Sequence, residues 1–202
     1  MADSREQILG RLRRFARPEV DLAPAPPPPA QAGAILDLFV ERLGAARATV
    51  DRAAGLAEVP AAAARYLAGQ NLPARLRLAP GLAGRLDFAA TPLTLEDGLP
   101  EADGIAVLTD CLAGVAETGT FVAASGPGSD PRLNLLAETL IVVVATGRVA
   151  ASYEDVWRML DGTPRLVGFV TGASRTADIE QTIEWGAHGP RRLHVILCDE
   201  TP

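Results

Sequence analysis

The chain has 202 residues, a formal net charge of −6 and 48% hydrophobic residues; that is the size of one domain, or of one domain with an appended arm, and no charge-free apolar run approaches the roughly 18 residues of a membrane span. All 19 basic residues are arginine, which excludes a Schiff-base lysine, a pyridoxal-phosphate anchor and a Walker-type phosphate lysine, and the acidic balance argues against a general nucleic-acid binder. Two cysteines (Cys111 and Cys198) and two histidines (His188 and His194), with no CxxC pattern, give neither a disulfide scaffold nor an iron–sulfur ligand set, and with no apolar signal region at the start the sequence reads as cytoplasmic.

In chain order, residues 4 to 16 fit a helix, with Ser4 to cap it and Ile8, Leu9, Leu12 and Phe15 at helical spacing. Pro18 ends it, and Pro24 and Pro26 to Pro29 impose an extended linker. This divides the chain into a helical arm (1–17), a Pro-rich linker (18–31) and a main domain (32–202). The arm's apolar face needs a partner surface, on this molecule or on a second copy in a homodimer.

In the main domain, residues 33 to 46 and 59 to 68 read as helices, the second with Pro60 in its first turn. Ala48 to Asp51 and Arg75 to Leu78 read as strands, and 80 to 103 as irregular. Strands are expected at 105–109, 121–124, 140–145, 166–170 and 193–198, and helices at 152–160 and 174–185, where Ile179 and Ile183 lie one turn apart. Short apolar runs alternating with helices predict an α/β fold: one domain with a mainly parallel sheet flanked by helices, made partly mixed by the hairpin-like middle at 105–124.

Four segments could carry chemistry. Thr171-Gly172-Ala173-Ser174-Arg175-Thr176 follows an apolar strand and opens the expected helix. Free N–H groups, the helix dipole and the Arg175 fork would attract an anion there, at the carboxyl end of a strand, where open α/β sheets bind ligands. Asp178 suits a first helical turn whether or not a ligand binds. Glu117-Thr118-Gly119-Thr120 sets a carboxylate beside a Gly turn; Glu117 could act as acid, base or nucleophile if buried, and Thr118 and Thr120 could hold a ligand oxygen. The plainer alternative is a hairpin turn with a solvated Glu. His188-Gly189 lies in a turn as an exposed imidazole, whereas His194, inside a strand, reads as a satisfied core or interface histidine. Arg132, after a Gly-Pro-Gly loop, could pair with an anion. A strand–helix–strand path would put His188 at the opposite sheet end from Arg175, because 12 helical residues span about 18 Å.

Three blocks in order, Ala116 to Thr120, Thr171 to Glu180 and Gly186 to Val195, resemble the lactate-utilization protein C family, whose defining unit is the LUD domain. The likeness is specific over about residues 104 to 198. It implies a fold similar to the ribose-phosphate isomerase, glucosamine-phosphate deaminase and CoA-transferase superfamily. It also implies a part in oxidation of L-lactate to pyruvate, beside partner proteins that carry the iron–sulfur clusters while this chain binds none. The residues it carries over are Glu117, Thr118, Gly119, Thr120, Thr171, Gly172, Ser174, Arg175, Thr176, Asp178, His188 and Gly189. The sequence departs from its relatives in lacking their Pro and His before the strand at Leu140, and in having Arg175 where they have Lys. Three functions are therefore expected in turn: a subunit of a lactate-oxidising system that binds a small anion or docks the cluster-bearing partners; a stand-alone enzyme on a phosphorylated or CoA-linked small molecule, with Glu117 reacting; and a structural adaptor.

Overall fold

The computed structural model describes residues 4–14, 32–100, 104–177 and 181–200. The whole of the expected linker (18–31), and Asp178 with it, lie outside the described residues. The helices are α1 (Ser4–Arg14), α2 (Ala32–Ala45), α3 (Val59–Gly69), α4 (Arg132–Leu136) and α5 (Tyr153–Met159). The strands are β1 (Thr49–Ala53), β2 (Arg75–Leu78), β3 (Thr94–Glu96), β4 (Ala106–Asp110), β5 (Ala113–Val115), β6 (Thr120–Ala124), β7 (Thr139–Ala145), β8 (Val149–Ala150), β9 (Val167–Val170), β10 (Arg175–Thr176), β11 (Glu184–Trp185) and β12 (Arg192–Cys198).

Six strands form a wholly parallel sheet in the order β1-β12-β7-β4-β2-β3. Its central strands are apolar on both sides because both faces are covered. Along β7, Leu140, Val142 and Val144 join Phe39 and Leu43 of α2 in one core, with Phe121 of β6. The alternate residues Ile141 and Val143 join Val59, Ala62, Ala63 and Leu67 of α3 in a second core on the opposite face. Each of the Val, Leu, Ile and Phe side chains among these, fully buried, contributes roughly 1.5–3 kcal/mol. Pro60 occupies the first turn of α3, as its missing N–H allows.

The mixed character expected of the sheet belongs to a separate four-stranded sheet, β8-β5-β6-β9, in which β5–β6 and β6–β9 are antiparallel and β5–β8 parallel. It packs with α2 over the first face of the parallel sheet, and α5 closes a small core of its own against it, centred on Val115, Val122 and Val156. Ser152 caps α5: its hydroxyl accepts from the Asp155 N–H at 3.3 Å.

The helix expected over 174–185 is not formed. Arg175 and Thr176 instead pair antiparallel with Trp185 and Glu184 as the hairpin β10–β11. Its base is closed by the Ser174 N–H donating to the Pro190 carbonyl at 2.7 Å and the Gly186 N–H donating to the Ser174 carbonyl at 2.9 Å. A non-local closure of this kind outweighs a helical periodicity carried by two isoleucines, of which Ile183 is exposed. Helix α1 buries none of its residues, and Ile8 and Leu12 are exposed. Among the described residues no helix is long and apolar enough to cross a membrane.

Candidate ligand-binding site

The first two motif blocks meet. Thr118 and Thr120 flank the β5–β6 turn, and Thr171 follows β9, which pairs with β6. The Thr120 Oγ1 lies 2.6 Å from that of Thr171, 2.7 Å from that of Thr118 and 3.0 Å from the Tyr153 hydroxyl. Tyr153 also bonds Thr118 at 3.0 Å. Thr120 is fully buried. The four hydroxyls satisfy one another, so the cluster ties β5, β6, the end of β9 and the start of α5 together. Gly119 and Gly172 both have positive φ, 67° and 77°, and both press on the end of α2. A β-carbon on Gly119 would lie 2.6 Å from the backbone of Arg42 and Leu43, and one on Gly172 would overlap the Ala46 carbonyl. The close approach that Gly172 permits is to this helix end.

Glu117 is exposed, contrary to the burial that an acid, base or nucleophile would call for, and its Oε1 accepts from the Tyr153 N–H at 3.2 Å. That places a negative charge at the start of α5, where the helix end is positive.

The second and third blocks meet as well. Because 172–190 folds back as a hairpin, the His188 N–H donates to the Ser174 hydroxyl at 3.4 Å, and Gly189 lies against Ser174. The separation expected between the two blocks is thus removed. Their side chains still open on different hollows. Arg175 and Thr176 line one with Ala177 and Ile183. His188 and Gly189 line another, about 690 Å³, with Leu135, Leu136 and Glu138. With no helix after Ser174, the anion site expected at a helix start has no dipole and no row of free N–H groups. Nor does this loop lie at the carboxyl ends of the parallel strands. The strand before it, β9, belongs to the other sheet, and the hairpin closes onto Pro190, just before the amino end of β12.

Arg132 does not wait for an anion: its guanidinium meets Asp130 at 2.6–3.1 Å, and this pair holds the Asp130 carboxyl below its ordinary range. His194 is buried and stacks on Tyr66 with ring centroids 4.0 Å apart. Its Nδ1 lies 2.8 Å from the Thr49 hydroxyl, but Nε2 has no partner among the described residues, so it is not the fully satisfied histidine expected.

The carboxyl ends of β4 and β7 do frame a crevice, of about 330 Å³, lined by Asp110, Cys111, Ser125, Ser129, Arg148 and Asp161 among others. Asp110 ends β4, and Arg148 lies three residues past the end of β7. The Gly128 carbonyl accepts from the Gly81 N–H at 2.7 Å, which anchors the rim loop. Burial raises the Asp110 carboxyl above its ordinary range, partly offset by a backbone hydrogen bond and by Arg85. Burial, reinforced by the Asp110 charge, also pushes the Cys111 thiol up, so Cys111 stays a thiol at neutral pH. Asp110 directly follows an apolar strand legible in the sequence, and that position was the available signal for it; nothing local marks Arg148. Among the described residues no group of three or more His, Cys, Asp or Glu is placed to hold a metal ion.

This α/β chain of two packed sheets matches the LUD domain family model over residues 102–198. The lactate utilization protein C of Deinococcus radiodurans is 32% identical over 213 residues, spanning 97% of this chain and 96% of that one. The chain belongs to the lactate utilization protein C family. The family member of Halalkalibacterium halodurans is 30% identical over 93 residues, 43% of this chain and 40% of its own length. The fold is similar to the crystal structure of a duf162 family protein from Deinococcus radiodurans, with a TM-score of 0.58 and 24% identity over 84% of this chain and 99% of that chain.

Proposed function

We propose that the chain is a cytoplasmic subunit of an L-lactate-oxidising system that binds the small carboxylate, while partner proteins carry the iron–sulfur clusters. The observation that carries this reading is the crevice at the carboxyl ends of β4 and β7, in a chain similar along its whole length to a lactate utilization protein C. A cation and a half-buried acid line that crevice together. The Arg148 fork suits a carboxylate. The Asp110 carboxyl, at the end of β4, suits accepting a hydrogen bond from the neighbouring hydroxyl. The exposed apolar face of α1 suits docking to the partners.

The test is reconstitution with the two cluster-bearing partners and L-lactate, with reduction of an artificial acceptor as the readout. Omitting this chain, or supplying Arg148→Ala, is expected to lower the rate at least tenfold. Equal rates without the chain would sink the proposal.

A further inference from the structure

A second crevice, of about 330 Å³, opens at the opposite end of the parallel sheet. The amino ends of β1 and β12 frame it through Thr49, Arg192 and Leu193, and the hairpin supplies Trp185. Its electrostatics run against the chain as a whole. In a protein of net charge −6, Arg47, Arg191 and Arg192 converge on this one hollow. Arg192 meets Glu138 at 3.3 Å. Arg47 has no acidic partner among the described residues; it lies over the Trp185 ring, 4.9 Å from its centroid. The Arg191 side chain has no acidic partner among them either. Among the described residues, three guanidiniums against one carboxylate leave two positive charges without an acidic partner.

The walls are as defined as the charge. The Tyr66 ring is held parallel to His194 at 8°, and the Thr49 hydroxyl beside them lies 2.8 Å from the His194 Nδ1. An adjoining hollow, lined by Thr49, Tyr66, Gln70 and His194, continues from the crevice. There His194 is 3% exposed and its Nε2 has no partner among the described residues. A buried polar atom left in this state costs about 1–3 kcal/mol.

We propose that this crevice is a binding site for a phosphate monoester, with the phosphate among Arg47, Arg191 and Arg192 and the organic body against Tyr66 and Gln70. Charge selects the class. A phosphate monoester carries about −1.5 to −2 at neutral pH, which matches the two unopposed cations, whereas a monocarboxylate such as lactate neutralises only one. Planar guanidinium forks match the geometry of phosphate oxygens. The aromatic wall and the Gln70 amide suit a ring or a hydroxylated body. The site lies at the other end of the sheet from the Asp110–Arg148 crevice and does not depend on it.

The experiment is titration calorimetry of the full chain at low salt with AMP and with phenyl phosphate, and with adenosine, phenol and L-lactate as controls. Both esters are expected to bind and adenosine and phenol not to. Arg47→Ala and Arg191→Ala are each expected to weaken the esters at least tenfold. Both side chains are exposed, so these variants should fold; circular dichroism checks this, and Arg191→Gln serves if Arg191→Ala does not fold. Arg148→Ala, at the other crevice, is expected to leave ester binding unchanged, so the two proposals fail separately. Absence of binding by both esters, or equal affinity in wild type and the two arginine variants, overturns the inference.

Discussion

Gly119 and Gly172, 53 positions apart in the sequence, lie against the same stretch of backbone, the last turn and end of α2 from Arg42 to Ala46. Both are left-handed, and both belong to motif blocks that on sequence alone look like ligand loops. Their contact is helix backbone, and the helix they admit carries Phe39 and Leu43 into the main core. Gly172→Ala is therefore expected to destabilise the fold by about 2–5 kcal/mol, combining roughly 1–2 for the left-handed conformation with roughly 1–3 for overpacking. Gly119→Ala should cost a similar amount. Urea denaturation of both variants checks this; a loss below about 1 kcal/mol in each would refute the packing role.

The Thr118–Thr120–Tyr153–Thr171 cluster is structural by the same reasoning, since its hydroxyls are spent on one another. Thr120→Val removes the central member, at an expected cost of about 1–3 kcal/mol. Tyr153→Phe should cost less, because Tyr153 is only half-buried. The double variant should lose less than the sum, because the pair share a bond. A strictly additive double-mutant cycle would show that the hydroxyls act independently.

Most of the parallel sheet was legible because its strands are continuous apolar runs buried on both faces. The expected 75–78 coincides with β2, and 140–145 lies within β7. Strands without that signal were not. Thr94–Glu96 has no apolar run, and two residues at Val149–Ala150 form a strand only by pairing with β5. The hairpin at 175–185 was misread because its determinants are remote: the Ser174–Pro190 bond closes its base and Arg47 packs on Trp185. The site residues fared likewise. Asp110 is passed over on sequence alone, although its place directly after an apolar strand was a signal for it, and a crevice joining Arg47 to Arg191 exists only once β1 and β12 lie side by side.

The two cysteines should be slow to react. Cys198 is buried in the core beside α3, and Cys111 donates to the Val143 carbonyl at 3.7 Å. Burial raises both thiols, the more so for Cys111. With the thiolate as the reactive form, modification by Ellman's reagent at pH 8 is expected to run at least roughly tenfold slower in the native protein than in denaturant. Rapid release of two thiols from native protein would contradict this placement.

His194 is expected to cost the fold stability in acid. Burial lowers its pKa from 6.5 to about 4; Arg65 acts in the same direction and Asp51 opposes. The native state therefore excludes a proton that the unfolded chain accepts at 6.5. Above that pH neither state binds it and stability is unaffected. Between about 4 and 6.5 the unfolded state binds more protons, so stability falls as pH falls. Below the folded value the loss is complete, on the order of 3 kcal/mol. Asp110, raised by burial, works with the opposite sign at the acid edge, so the histidine's part is read by difference. His194→Phe keeps a ring against Tyr66 but cannot titrate. Its urea midpoint should change less between pH 7 and pH 5 than that of the wild type, and parallel shifts in the two proteins would show that His194 is not the group responsible.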